Sequence, residues 1–332
     1  MTSYYVDPAA TSGNNDGSSQ VNAWLSLQRA IDGEDGVQPT AGDKVLCRAQ
    51  DGVIPDETLA ARIDVDGGNG TTTNPLQITG VNSSWIEDGT QYVINGNNVA
   101  TEILYFGASQ YQKWLNFKVF GAIGYSIEFM VSGARMVNFI NCWVSGGYGA
   151  RFFRNSLGSV IRCLFENSSH GVYNLSGSLI NSIVRNCSSD GVDSSYSASR
   201  IVGNIIYNSA KNIAGQSAGS LIQNNVIHGG TYGIYRASAV DALTILGNRI
   251  TGASTAGIGA AGSSGIMAYN YLQNITDLSN ADGLLQVALA GINTNIIGGT
   301  DTDYGYVDSA NADFNLVTGA TLREVLADIG LI

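Results

Sequence analysis

Tyr148, His170, Asp190, Lys211 and Tyr232 each stand immediately before a Gly or Asn that recurs along the chain, at Gly149, Gly171, Gly191, Asn212 and Gly233. Two residues after that marker come Arg151, Tyr173, Asp193, Ala214 and Tyr235, with Arg236 beside the last. Tyrosine rings flanked by charged donors and acceptors suit a sugar, whose apolar face stacks on an aromatic while its hydroxyls need hydrogen-bond partners. The chemistry open to these residues extends further. Asp190 and Asp193 are paired carboxylates able to divide acid and base roles, or to hold Ca²⁺ between sugar acids. Lys211, His170 or Arg185 would supply the base or the charge stabiliser of a β-elimination. The plainer alternative is that all of them are solvated turn residues on an ordinary face.

Such columns matter only if the chain stacks them, and a second, stricter pattern says that it does. Aligned on Phe117, Cys142, Cys163, Ser182, Asn204, Asn225, Asn248 and Asn270, the sequence repeats at spacings of 25, 21, 19, 22, 21, 23 and 22 residues. Three residues before and two residues after every one of these positions the side chain is apolar. Four residues after, it is Gly or Asn in all eight repeats: Gly121, Gly146, Asn167, Asn186, Asn208, Gly229, Gly252 and Asn274. Gly and Asn are the residues that most readily take the positive φ of a sharp turn. A period in the twenties, rich in β-branched residues and without a Leu-rich signature, marks a β-solenoid. Coils stacked about 4.8 Å apart bring like residues into contact, and Asn204, Asn225, Asn248 and Asn270 should hydrogen-bond along the stack as an interior ladder.

The expected fold is therefore all-β, a single-stranded parallel β-helix. Residues 1–50 read as its N-terminal cap, with a short amphipathic helix over 23–31 covering the open end. Residues 51–102 read as irregular first coils, 103–280 as the regular body, and 281–332 as last coils with a short closing helix at 321–329. One residue after the ladder, Trp143, Leu164, Ile183, Ile205 and Val226 should point outward by strand alternation. Such an apolar stripe suits a sister subunit or another protein; the alternatives are a corner that turns it inward or loops that cover it. Further out, Glu166, Arg185, Tyr207, His228, Thr251 and Gln273 read as solvated surface.

Composition narrows the partners. With 332 residues, 44% hydrophobic and 13% charged, the chain suits a long buried core, and a net charge of −11 disfavours nucleic acid and anionic membranes. No stretch is long and apolar enough to span a bilayer, and the first residues show neither the basic nor the apolar region of a secretory signal peptide. The four Cys (47, 142, 163 and 187) lack metal-site spacing and read as reduced core residues, although the spacing of Cys142 and Cys163 in neighbouring coils would permit a disulfide. Two His residues without ligand spacing argue against a transition metal, so no metal site is assigned. Asp301, Asp303, Asp308 and Asp313 read as loop acidity rather than a Ca²⁺ site.

The opening YYVDPAATSGNNDGSSQVNAWLSLQRAID, then AGDKVLCRAQDG, NPLQITG with YVING, and the late DYGYVDSANADFNL resemble the right-handed parallel β-helix superfamily of pectate lyases and phage tailspikes. The resemblance covers nearly the whole chain. It implies action on, or binding of, polysaccharide, and for many members a place on a virion. The hydrolases' Asn-Thr-Asp, Asp-Asp, Gly-His-Gly and Arg-Ile-Lys motifs are missing, as are the lyases' Trp-Ile-Asp-His and Arg-x-Pro-x-x-Arg runs. No catalytic residue is carried across on this resemblance. The expectation is a phage-type virion surface protein (spike, tail or capsid decoration), partnered by other virion proteins or by sister subunits in a homotrimer, and contacting host glycan. The alternatives are a polysaccharide lyase or glycoside hydrolase on the same fold, and a bacterial adhesin reaching the cell surface by another route.

Overall fold

The computed structural model describes residues 1–33, 37–50, 55–65, 70–98, 100–107, 111–129, 136–151, 158–195, 198–236, 242–260, 265–268 and 270–273, with the strand backbones 285–286, 296–297, 306–308 and 313–316. Its strands wind into three parallel sheets, here S1, S2 and S3, that each coil visits in turn. S1 carries twelve strands, S2 eleven and S3 nine among the described residues. One coil runs from Gln112–Leu115 in S1 through Phe117–Phe120 in S2 to Ile127–Phe129 in S3, and then re-enters S1 at Asn138–Ile140. This is the parallel β-solenoid expected from the period, of the right-handed type that the family resemblance implied. The one antiparallel pair among the described residues is Tyr306–Asp308 with Asp313–Leu316.

Register explains the aligned columns. Trp114, Phe139, Val160, Leu179, Ile201, Ile222, Ile245 and Met267 stack in S1, and Val119, Val144, Phe165, Val184, Ile206, Ile227, Ile250 and Leu272 stack in S2. Both columns are buried. Between them runs the ladder: the Asn204 backbone N–H and side-chain Nδ2 both donate to Asn225 Oδ1, at 2.9 and 3.0 Å. Asn225 repeats this on Asn248 at 3.0 and 2.9 Å, and Asn248 on Asn270. The acceptor role continues upward through Ser182 and Cys163, whose Oγ and Sγ take the backbone N–H of Cys163 and Cys142. Every ladder side chain from Cys163 to Asn270 thus satisfies a turn amide that would otherwise be buried unpaired. The four Cys are free and buried.

The Gly/Asn column has the expected backbone, with φ between 54° and 79° from Gly121 to Gly252. A further left-handed column, not foreseen, precedes the ladder by one residue: Asn116, Asn141, Arg162, Asn181, Gly203, Asn224 and Gly247. Arg162 hides it from a composition reading.

The N-terminal cap differs in detail from the expectation. Its helix spans Leu27–Asp32 rather than 23–31, because Ser26 caps it by accepting from the Arg29 amide, while Trp24 pairs with Val6 as an isolated bridge. Leu27, Ala30 and Ile31 face the core and close the end of the solenoid. The closing helix expected at 321–329, Asn274, Asp301 and Asp303 lie outside the described residues, as do the side chains of Asp308, Asp313 and Gln273.

The column read as solvated surface on S2 needs correction. Glu166 and Tyr207 are only 4% and 7% exposed, and Thr251 is also buried. Glu166 accepts from Trp143 Nε1 at 2.8 Å and from Arg185 Nε at 2.7 Å, while Arg185 Nη1 donates to Tyr207 Oη at 3.1 Å. His228 Nδ1 shares a 2.8 Å hydrogen bond with Thr251 Oγ1. Coils stacked at strand spacing press long polar side chains together, and they pair across coils instead of reaching water. Arg185, offered as a base for S3 chemistry, is committed to this network on another sheet.

Candidate functional site

All ten proposed sugar-contacting residues lie on or beside S3. Cross-strand register places Asp190 beside Lys211 and Lys211 beside Tyr232, and in the next column Asp193 beside Ala214 and Ala214 beside Tyr235. Arg151 is level with Tyr173. Inward of both columns, Ala150, Val172, Val192, Ile213, Ile234 and Ile258 fix the strands to the core. The marker Gly is needed there for space: a Cβ on Gly171 would meet Val184 Cγ1 at 2.4 Å and the Gly191 carbonyl oxygen at 2.6 Å.

The face divides into two halves. In the first, the Arg151 guanidinium lies 5.3 Å from the Tyr125 ring and 5.8 Å from that of Tyr173, and donates to Glu128 at 2.9 Å. Tyr125 stacks on Tyr173 at 5.9 Å with 13° between the rings, and Tyr148 leans on Tyr125 at 5.5 Å. Burial pushes the Glu128 carboxyl up against the opposing pull of Arg151. This half is a self-satisfied aromatic–cation stack.

The second half is an open pocket of about 250 Å³ lined by Asp190, Asp193, Ser195, Lys211, Ala214, Gly215, Tyr235 and Arg236. Its carboxylates are not solvated turn residues: Asp190 is 8% exposed and Asp193 9%. Asp193 Oδ1 accepts from the Ser195 amide at 2.8 Å and from the Ser195 hydroxyl at 2.6 Å. Burial nevertheless raises the Asp193 pKa, those hydrogen bonds opposing the rise and the Asp190 charge adding to it. Lys211 Nζ stands 3.6 Å from Asp190 Oδ1 and 5.1 Å from the centre of the Tyr235 ring. Tyr232 packs on Tyr235 at 4.4 Å, behind the pocket wall.

His170 joins the halves. Its ring lies 4.7 Å from that of Tyr173, and its Nε2 lies 4.0 Å from Asp190 Oδ2. Burial lowers its pKa despite the nearby carboxylates, so the imidazole is held toward its neutral form. Asp190 Oδ1 and His170 Nδ1 are both buried without a hydrogen-bond partner. Buried polar atoms are rarely left so; Asp190, which lines the pocket, has Lys211 as the ion-pair partner of that oxygen, whereas His170 stands outside the lining.

Sequence reasoning passed over Tyr125, Glu128, Ser195 and Gly215. Glu128 was in principle readable, since it sits one coil before Arg151 in register. The marker preceding it is Ser126 rather than Gly or Asn, which broke the pattern. Calcium does not fit the pocket. The ion takes six to eight oxygens, yet Lys211 faces Asp190, Ser195 already fills Asp193 Oδ1, and no group of three metal-binding side chains exists among the described residues.

No protein-family model matches the chain, and no curated protein matches it. Solved structures do. Pectate lyase Pel9A superposes with a TM-score of 0.65 at 13% identity, over 97% of this chain and 90% of that one. A rhamnogalacturonan lyase gives 0.57 at 12% identity over 99% and 98%, and an alginate lyase from Paenibacillus 0.53 at 13% over 82% and 95%. At such identities the likeness establishes the pectate-lyase-like parallel β-helix and nothing of the chemistry. No helix among the described residues is long and apolar enough to cross a membrane.

Proposed function

We propose that the chain is a carbohydrate-binding surface protein that holds a polysaccharide along S3, with the Asp190–Arg236 pocket as its principal subsite. The observation that carries this reading is the open pocket lined by Asp190, Asp193, Lys211, Tyr235 and Arg236, beside an aromatic–cation row that spans several coils. A saccharide unit would stack on Tyr235, donate a hydroxyl to the Asp190 carboxylate, and meet Lys211 and Arg236 with its acceptors. The first half of the face, with Tyr148 exposed at its edge, would carry the flanking units. As setting we propose a virion surface, where a stiff, ladder-locked rod serves as a spike or decoration.

Binding to a panel of neutral and acidic polysaccharides tests the first part. Tyr235→Ala and Asp190→Asn should each weaken the best ligand by about tenfold or more, corresponding to loss of a stacking or buried hydrogen-bond contact. Affinity unchanged by both would refute the assignment. Purified particles should contain the chain at a copy number that matches their symmetry; its absence from them would refute the setting.

Asp193 supports a second reading, a polysaccharide lyase or glycoside hydrolase. A carboxyl whose pKa is raised by burial, next to an ionisable carboxylate and Lys211, has the composition of an acid–base pair. Release of unsaturated or reducing ends, abolished by Asp193→Asn, would establish it. Binding without turnover would leave the adhesive role.

A further inference from the structure

The S2 stripe Trp143, Leu164, Ile183, Ile205 and Val226 points outward as its alternation requires, half-buried to exposed. An outward S1 column from Leu115 to Val202 matches it coil for coil. A different peculiarity lies inside the N-terminal end of the stack, where the chain buries carboxyl groups beneath its cover. Glu57, in the S2 strand Glu57–Thr58, is 8% exposed, and its carboxyl group lies between the fully buried Tyr92 and Leu27. Its Oε2 accepts from Tyr92 Oη at 2.8 Å and from the Leu27 amide at 3.3 Å. Both hydrogen bonds fall on one oxygen, as they do on the carbonyl oxygen of a protonated acid.

No cationic side chain contacts Glu57 among the described residues. Arg48 is paired with Asp7 at 2.8 Å and Lys44 with Glu87, while the helix's own Arg29 and Asp32 make no contact with Glu57. Asp56, its neighbour in sequence, is 9% exposed and accepts from the Gln50 and Val93 amides. The Cys47 thiol and the Tyr92 phenol complete the titratable groups around it; burial first and the Glu57 charge next push both up, so neither supplies a counter-charge. Leu27 opens the helix Leu27–Asp32 that closes the solenoid, and its amide is an orphan donor of a helix start. The acceptor that holds this helix down is thus a group whose charge the core opposes. The helix's other ties are neutral: Gln28 exchanges two hydrogen bonds with the Asp64 backbone, and Gln38 donates to the Ile31 carbonyl.

We propose that the helix Leu27–Asp32 is a pH-operated lid, docked while Glu57 is a neutral acid and lifting from the core when Glu57 ionises. A buried carboxylate without a cation is far costlier than its neutral form, and lifting the helix lets water reach it. Burial raises the Glu57 pKa, outweighing the hydrogen bonds from Tyr92 and Leu27 that oppose the rise. An open lid returns the group to its ordinary value, about 4.3. Between that value and the higher docked one, the open form has released a proton that the docked form retains. Opening therefore grows with pH, by about tenfold per unit, and levels off once both forms are ionised. Burial raises the Asp56 pKa as well, but its hydrogen bonds run to Gln50 and Val93 and not to the helix. The end of the solenoid is sealed in acid and opens toward neutrality, independently of the S3 face.

Hydrogen exchange of the full chain, read on peptides spanning the helix and corrected for the intrinsic pH dependence of exchange, tests this. In the parent the opening constant should rise about tenfold per pH unit above about pH 4.3 and then level. Glu57→Gln keeps the shape and the acceptor oxygen but cannot ionise, so the rise should vanish and protection at neutral pH should match that in acid. Tyr92→Phe removes a hydrogen bond that favours the ionised form. Its rise should extend to higher pH before levelling, which keeps the test decisive if the Gln variant fails to fold. Opening that is independent of pH in the parent, or equally dependent on it in Glu57→Gln, would overturn the proposal. So would loss of the dependence in Asp56→Asn, because the neighbouring carboxyl would then be the switch.

Discussion

Asp193 illustrates how burial changes what a single residue can do. Its two hydrogen bonds from Ser195 would lower the pKa of an exposed carboxylate, yet burial outweighs them and raises it. The unfolded chain therefore releases this proton at lower pH than the folded chain. The group's contribution to stability is greatest below the ordinary carboxylate range and declines as pH rises through the elevated folded value. Asp193→Asn removes that dependence. The melting temperature of the parent minus that of the variant should fall between about pH 4 and pH 7; a difference that does not vary with pH would contradict the assignment. In the turn column, Asn208 sits at a φ of 55°. Asn208→Gly should be close to neutral and Asn208→Ala should cost about 1 kcal/mol, because the methyl group meets the following carbonyl in the left-handed region. Equal chemical denaturation midpoints for the two variants would contradict this.

At the scale of elements, stability rests on the ladder as much as on the apolar columns. Removing the Asn225 side chain leaves the Asn204 amide and Nδ2 without their acceptor, and takes one donor from the Ile201 carbonyl. Asn225→Ala should cost about 2–4 kcal/mol in urea unfolding, since unsatisfied buried groups cost more than the average hydrogen bond contributes. Asn225→Ser should cost less, because Ser182 already fills the same role two steps up the column by accepting the Cys163 amide. Should both changes prove equally mild, the ladder would be incidental to packing. The S2 network of Trp143, Glu166, Arg185 and Tyr207 follows the same logic on the outer surface: successive coils supply the partners that water would otherwise provide.

The whole molecule behaves as a stack whose open end must be covered. Trp24 and Leu27 are fully buried against Val6, Val45 and Cys47, so the cap is continuous with the core. Glu57 helps to lock it, accepting from the Leu27 amide and the Tyr92 hydroxyl. Deleting residues 1–33 would expose both the apolar core and the strand edge at Lys44–Arg48. Concentration-dependent aggregation in gel filtration is the expected result; a truncated chain that remains monomeric and folded would contradict it.

The sequence alone determined the interior. Trp114, Phe139 and Val160 could be predicted to stack on one another, because strand alternation and coil spacing convert a repeated residue type into a repeated position. The same arithmetic brought Asp190, Lys211 and Tyr232 to one face. It could not show that Asp190, Asp193, Glu166 and Tyr207 are buried, nor that Arg185 is spent on Glu166, nor that S1 matches the apolar stripe of S2. Those outcomes depend on side chains from coils 19 to 25 residues apart meeting outside the backbone, where turn length and neighbouring bulk decide what water reaches. An inward position is fixed by local periodicity, whereas an outward one takes its environment from the assembled surface.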